Sequence, residues 1–294
     1  MMGKRARNFG GSWTEEKLIR VSKYLRAYAT IMSKQTFKFA YIDAFAGTGY
    51  RIGEKDPETS EELFPEFAEK ETADFLKGSA KIALEVSPRF DKYIFIEKEK
   101  VGAHALEGLK EEHPMLAADI NVVTQDANTY LTELCRKRSW ATHRAVIFLD
   151  PYGMEVEWST IELIGATKAI DLWLLFPLGV AVNRLLKRDG EINESVRQKL
   201  DRFFGTREWL SYFYRDEKSE TLFGPKSEKK KVVDFEGIAT YFVSRLKTVF
   251  VGVAENPLPL LNSKNNPLYL LCFAAGNEKG SPTALKIAQD ILGR

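Results

Sequence analysis

Apolar positions along this chain come in two alternating styles. Short, nearly unbroken apolar runs end at an acid, a glycine or a turn, and longer stretches between them repeat every three or four residues. The runs predict strands at residues 37–45, 93–97, 120–124, 145–149 and 169–176. The helical period appears at 13–33, 101–112, 129–137, 158–167 and 235–247, and a helix begins at 78–84 with Ser79 as its cap. In the first helix Leu18, Val21, Leu25, Tyr28, Ala29 and Met32 form the apolar face. Ser12 or Thr14 can cap it, with Glu15 and Glu16 in the first turn.

Strands that are apolar throughout are buried on both faces, as in a parallel sheet between two helix layers. Two later apolar runs, 248–253 and 268–274, are separated by Asn256, Pro257, Pro259 and an Asn-rich turn, so no helix fits between them. They are expected to pair antiparallel. The fold class predicted is therefore α/β and Rossmann-like, of the class I methyltransferase type. It has a mostly parallel seven-stranded sheet, an antiparallel terminal hairpin and helices on both faces. A dinucleotide dehydrogenase shares the first five strands, and the hairpin discriminates against it. Residues 1–36 read as an N-terminal helical segment and 37–294 as the main domain. Insertions are expected at about 51–77, rich in Glu, Asp and Pro, and at about 182–233. The second holds a helix near 195–204, the aromatic run 209–214 and a lysine-rich stretch without strand or helix period.

The chain of 294 residues is 44% hydrophobic and 29% charged, the profile of an ordinary globular protein. Its apolar runs are strand-sized, well short of the roughly 20 residues of a membrane helix. The basic start, Lys4, Arg5 and Arg7, lacks the apolar segment of a signal peptide. Cys135 and Cys272 support neither a disulfide framework nor a metal site, which fits a reducing, cytoplasmic setting. His104, His113 and His143 have no ligand spacing, and no metal is expected. A net charge of +2 neither demands nor excludes nucleic acid. Lys226 and Lys229 to Lys231, like the N-terminal cluster, read either as solvated segments or as phosphate contacts.

In an open parallel sheet ligands bind beyond the carboxyl ends of the strands. Four acids fall there. The first strand runs into Asp43-Ala-Phe-Ala-Gly-Thr-Gly49, where Gly47 and Gly49 give the backbone room to approach a nucleotide-like ligand and Phe45 lies within the turn. Asp43 can accept from the ammonium of a methionine moiety, or it caps the turn. Glu97 ends the second strand, where a carboxylate can accept both ribose hydroxyls. It lies 48 residues after Gly49, of which the proposed insertion takes 27; what remains is close to the usual spacing of about 20. Asp126, followed by Ala127, ends the third strand and can accept from an adenine amine or serve as a helix cap. Asp150-Pro-Tyr-Gly153 follows the fourth strand. Asp150 and the carbonyl of Pro151 can hold an amine N–H and aim its lone pair, and Tyr152 can stack on a base. The same tetrapeptide also suits a plain tight turn. The combination points to a methyl donor, S-adenosylmethionine, beside a planar acceptor.

The order of Tyr41 to Gly49, Gly78 to Leu84, Phe95-Ile-Glu97, Phe148 to Met154 and Asp171 to Gly179 resembles the three-Cys-motif partner family, TcmP, over roughly residues 37–185. That family is named for a neighbouring gene product with three cysteines, a motif this chain lacks. The resemblance implies a prokaryotic protein of class I methyltransferase fold that uses S-adenosylmethionine, with Ser79 beside the cofactor loop and a three-Cys-motif protein as partner. The Asp-Pro-Tyr-Gly loop is similar to the Asp-Pro-Pro-Tyr loop of amino-group methyltransferases and to the Asp-Pro-Phe-Gly loop of tRNA guanine-N2 methyltransferases, which implies an exocyclic amine on DNA or RNA as acceptor. The second Pro is absent here, so Tyr152 sits one position early. Other readings stay open: a methyltransferase with a protein or small-molecule acceptor, a nicotinamide-dependent oxidoreductase, and a noncatalytic accessory protein.

Overall fold

A computed structural model of the chain describes residues 12–46, 78–221 and 224–293. Gly47, Gly49, the N-terminal basic cluster and the insertion expected at 51–77 lie outside the described residues. The sheet has eight strands, and their order explains where its carboxyl edge lies. β1 (Lys38–Ala44), β2 (Lys92–Glu97), β3 (Ile120–Thr124), β4 (His143–Leu149) and β5 (Ile170–Phe176) are parallel, and they run β3-β2-β1-β4-β5 across the sheet. After two strands of a separate hairpin, β6 and β7 below, come β8 (Gly252–Val253), β9 (Leu258–Leu261) and β10 (Pro267–Ala275). β10 lies antiparallel between β5 and β8, and β9 pairs with it as well. A parallel run of five strands closed by an inserted antiparallel strand is the Rossmann-like class I methyltransferase architecture. The expected terminal hairpin is present; β9 is an extra strand, and β8 is shorter than its apolar run.

Side chains alternate across the sheet, so each strand feeds two cores. Ile42 and Ala44 of β1 join Leu172, Leu174 and Phe176 of β5 on one face, and Phe39, Tyr41, Trp173 and Leu175 point to the other. The second face is covered by α1 (Ser12–Met32), the helix at residues 78–84 (α2), and α11 (Ser281–Leu292). The first is covered by α5 (Ala127–Lys137), α6 (Trp158–Ala166), α8 (Glu194–Phe204) and α10 (Phe235–Lys247). The helix expected at 101–112 is two pieces, α3 (Lys100–Glu107) and α4 (Leu109–Glu112), divided at Gly108.

The segment after β5 does not hang off the domain. It opens with a π-turn at Leu178–Val182 and the short α7 (Asn183–Leu185), and continues into α8 and α9 (Glu208–Phe213). Phe203, Phe204, Trp209 and Phe213 are all buried in the first core. The lysine-rich stretch, expected to lack regular structure, instead forms a hairpin of β6 (Tyr214–Thr221) and β7 (Gly224–Lys231). Backbone pairing imposes the strand there, because the charged residues carry no apolar alternation to announce it.

α8 ends at Gly205, which adopts φ 67° and ψ 13°, the left-handed conformation of a helix C-cap. A Cβ at this position would run into the ring of Trp158, itself buried at the start of α6. Gly205→Ala should therefore destabilise the protein by about 1–3 kcal/mol, measurable as a lowered urea midpoint with an unchanged denaturant slope.

Candidate functional site

Register brings the strand ends level. Asp43 lies opposite Phe95 of β2 and Phe148 of β4, and Ala44 lies opposite Ile96 and Leu149. Glu97, the residue after Ile96, pairs with Thr124 at the end of β3. Asp150 follows Leu149 at once. Asp43, Glu97, Asp126 and Asp150 are thus gathered on one edge of the sheet, as predicted for strand-end acids.

Beyond Asp43 the chain bends sharply. Phe45, half-buried, has φ 93°, a conformation costly for any residue with a Cβ. The bend lets the backbone N–H groups of Phe45 and Ala46 both donate to the carbonyl of Ile96, at 3.2 and 2.9 Å. The turn is thereby pinned to the end of β2 before it reaches the glycines.

Asp43 is 1% exposed. It shares a strand face with Tyr41, whose hydroxyl donates to its Oδ2 at 3.2 Å. Ser79 on α2 supplies a further hydrogen bond. Its Oδ1 is buried with no hydrogen-bond partner among the described residues. Burial pushes the carboxyl up to about 7; Asp150 adds to the rise, and Ser79, Tyr41 and Lys17 oppose it. A second buried acid shows what a purely structural arrangement looks like. Asp171, raised to about 6 by burial, takes the Tyr24 hydroxyl at 2.7 Å and a backbone N–H from Gly276. It sits near the opposite end of β5.

Asp150 is engaged from an unexpected direction. Lys17 of α1 reaches it with Nζ–Oδ2 at 2.5 Å, with side-chain exposures of 1% and 11%. Pro151 is buried and Tyr152 is 51% exposed, beside the acid as expected. Trp13 of α1 stacks on Tyr269 of β10, with ring centroids 5.1 Å apart. Burial, with Asp150, Tyr152 and Glu155 nearby, raises the Tyr269 phenol. This corner of the edge is therefore aromatic as well as acidic.

Glu97 is 8% exposed, and burial holds its carboxyl above the usual range. Its Oε1 accepts from the backbone N–H of Glu99 at 2.6 Å. Gly102 of α3 lies against the same side chain, and a Cβ there would strike Glu97 Cγ. Asp126 caps α5: its Oδ1 accepts from the N–H and the hydroxyl of Thr129, at 3.0 and 3.1 Å. Ala127 is buried beneath it. Asn128, which the sequence reading passed over, clamps the Asp150 loop to α5. Its Nδ2 donates to the Glu155 carbonyl at 2.8 Å, and its Oδ1 accepts from the N–H of Glu157 and the hydroxyl of Thr160, both at 2.9 Å.

Two lysines of the hairpin have described side-chain partners. Lys230 pairs with Glu217 at 3.1 Å, and Lys231 donates to Asn183 at 2.6 Å. Lys229 lies in register with Asp216. Cys135 is half-buried and Cys272 buried, and burial pushes the Cys135 thiol up to about 12, away from reactivity. Among the described residues no group of His, Cys, Asp or Glu could hold a metal ion. No described helix is long and apolar enough to cross a membrane.

No protein-family model matches the chain, and no curated protein matches it. Similar solved structures include a DUF519 protein from Legionella pneumophila (TM-score 0.43, 14% identity, covering 98% of this chain and 92% of that one). A SAM-dependent methyltransferase from Agrobacterium tumefaciens is similar at TM-score 0.35 and 12% identity, over 72% of this chain and 60% of that one. Magnesium protoporphyrin IX methyltransferase from Synechocystis is similar at TM-score 0.30 and 10% identity, over 78% of this chain and 85% of that one. At these scores the fold assignment rests on strand order and polarity.

The raised Asp43 has a consequence for stability. In the unfolded chain it titrates near 3.8, and in the fold near 7. The folded state therefore binds this proton more tightly, and that contribution is complete below about pH 4 and is lost as pH rises through 7. Asp43→Asn removes the loss. The variant should gain on wild type by on the order of 1 kcal/mol or more between about pH 5 and pH 8, read from urea denaturation at both values.

Proposed function

We propose that this protein is an S-adenosylmethionine-dependent methyltransferase of class I fold that methylates an exocyclic base amine in DNA or RNA. The observation that carries the reading is Asp43. A buried strand-end carboxylate with one unsatisfied oxygen, beside a glycine-bearing turn, suits a cationic ligand group. The donor set fits the cofactor. Asp43, with Ser79 beside it, would accept from the methionine ammonium, Glu97 would accept from ribose hydroxyls, and Asp126 with Ala127 would meet the adenine. Phe45, Gly47 and Gly49 would supply the backbone approach. When bound, the cofactor would supply an electrophilic methyl group.

The chain's own contribution is placement. Asp150 accepts from the N–H of the acceptor amine and, with the Pro151 carbonyl, fixes the direction of its lone pair. Tyr152 offers a ring for stacking, and Trp13 and Tyr269 extend the aromatic wall. Holding reactants in line is worth several orders of magnitude in rate without any covalent step by the protein. Residues 37–294 would form the catalytic domain, with 1–36 as a helical addition. A three-Cys-motif protein as partner, as the TcmP resemblance implies, belongs to the same proposal. The charge-mixed hairpin favours nucleic acid no more than a protein or small-molecule acceptor.

One observation favours a second reading, an accessory protein that keeps the fold without transfer. An Asp150 oxygen is already occupied by Lys17, and Glu97 already serves the Glu99 backbone. Calorimetric titration with S-adenosylhomocysteine separates the two. Micromolar binding is expected for wild type. Glu97→Ala should weaken it by about tenfold or more, the cost of a charge-assisted bond, and Asp150→Asn should leave it within about threefold. No binding by wild type, in a folded protein, would sink the transferase reading.

A further inference from the structure

Lys17 is 0% exposed, a burial that lysine accepts only beside a counter-charge. We infer that Lys17 is a positioning residue of the site: its ammonium holds the Asp150 carboxylate in place for the acceptor and stands as a counter-charge beside Asp43. The inference rests on the proposed methyl transfer and adds a residue to it from outside the strand ends.

Three observations carry it. The ion pair joins α1 to the loop after β4, across 133 residues of chain, and it is made in a nearly dry setting. Lys17 ignores the acids of its own helix; Glu16 pairs instead with Arg20, one turn on, at 3.1 Å. Its side chain is threaded between aromatic rings, with Nζ 5.4 Å from the Trp13 centroid and 5.7 Å from that of Phe148. A buried ion pair adds little net stability compared with apolar side chains of the same volume. Its value lies in fixing where charges sit.

Among the described residues, the groups around Asp43 are Tyr41 from its own strand, Ser79 from α2, Asp150 from the loop after β4 and Lys17 from α1. Burial lowers the Lys17 ammonium from its ordinary value, and Asp150 and Asp43 both oppose that loss. Asp43 is the register partner of Phe148, whose ring lies under the Lys17 ammonium, so one cation serves both carboxylates. Without it, two acids at neighbouring strand ends would repel, and Asp43 would favour its neutral form.

The test is a carbon-13 carboxyl NMR titration of Asp43 in the ligand-free full chain, with the resonance assigned by its loss in Asp43→Asn. Lys17→Met should move the titration midpoint of Asp43 up by about half a unit or more, and Lys17→Arg should leave it near wild type. Asp150→Asn should move it down. If Lys17→Met does not fold because Asp150 is left uncountered, Lys17→Met is compared with Lys17 retained in the Asp150→Asn background, where the same upward shift is expected. An unchanged midpoint in either background overturns the inference.

S-adenosylhomocysteine titration of the same proteins supplies the second readout. Binding by Lys17→Met should be weakened several-fold at neutral pH and recover toward about pH 9. Weakening by the same factor at every pH would mean that Lys17 only fills space, and it overturns the positioning role. A folded wild type that binds no S-adenosylhomocysteine removes the methyl-transfer reading, and the NMR shift still decides whether Lys17 governs Asp43.

Discussion

β1 is parallel to both its neighbours, and the chemistry at this edge of the molecule follows from that pairing. Ala44 is level with Ile96 on one side and Leu149 on the other. The residues that follow each strand therefore leave the sheet together. A one-residue slip would turn Asp43, and Tyr41 with it, to the opposite face of the sheet, away from α1. The near-continuous apolar character of β1, β4 and β5 holds the register, since both faces of these strands are buried.

Asp43, Glu97 and Asp171 are held in places where water cannot serve them fully. Asp43 and Asp171 are both raised by burial, yet they are not equivalent. Asp171 is satisfied by a tyrosine hydroxyl and a glycine N–H, and it ties α1 to β5. Asp43 keeps an oxygen in reserve. A perturbed carboxyl alone is a poor guide to function, because structural acids show the same perturbation. Position at the carboxyl edge, an unmet acceptor and a buried cation nearby separate the two.

Much of this was legible in the sequence. The five parallel strands, the terminal antiparallel pairing and the four edge acids can all be read from apolar runs and from the residues that end them. What stayed hidden depends on contacts between distant segments. Lys17 lies four residues before Val21 and seven before Tyr24, so the helical period puts it on the buried side of α1, but nothing local names its counter-charge. Its partner is announced only by the fold. Asn128 reads as part of a capping turn, and its grip on Glu155 and Glu157 requires α5 and the Asp150 loop to be adjacent. The hairpin Tyr214–Lys231 has alternating charges where an amphipathic strand would have alternating polarity, so no period betrays it. One further signal lies in the sequence itself: Tyr41 and Asp43, two apart on one strand, must share a face.

The docking of α1 also bears on the order in which the molecule can be completed. α1 is synthesised before every segment named below that it docks against. Its buried lysine waits for Asp150, its Tyr24 waits for Asp171, and its flank waits for α11. Closing such long loops is entropically costly and slow. A helix made before its partners is thus among the last elements to be seated, and the carboxyl edge reaches its final electrostatic state only once β4, β5 and α11 have been made.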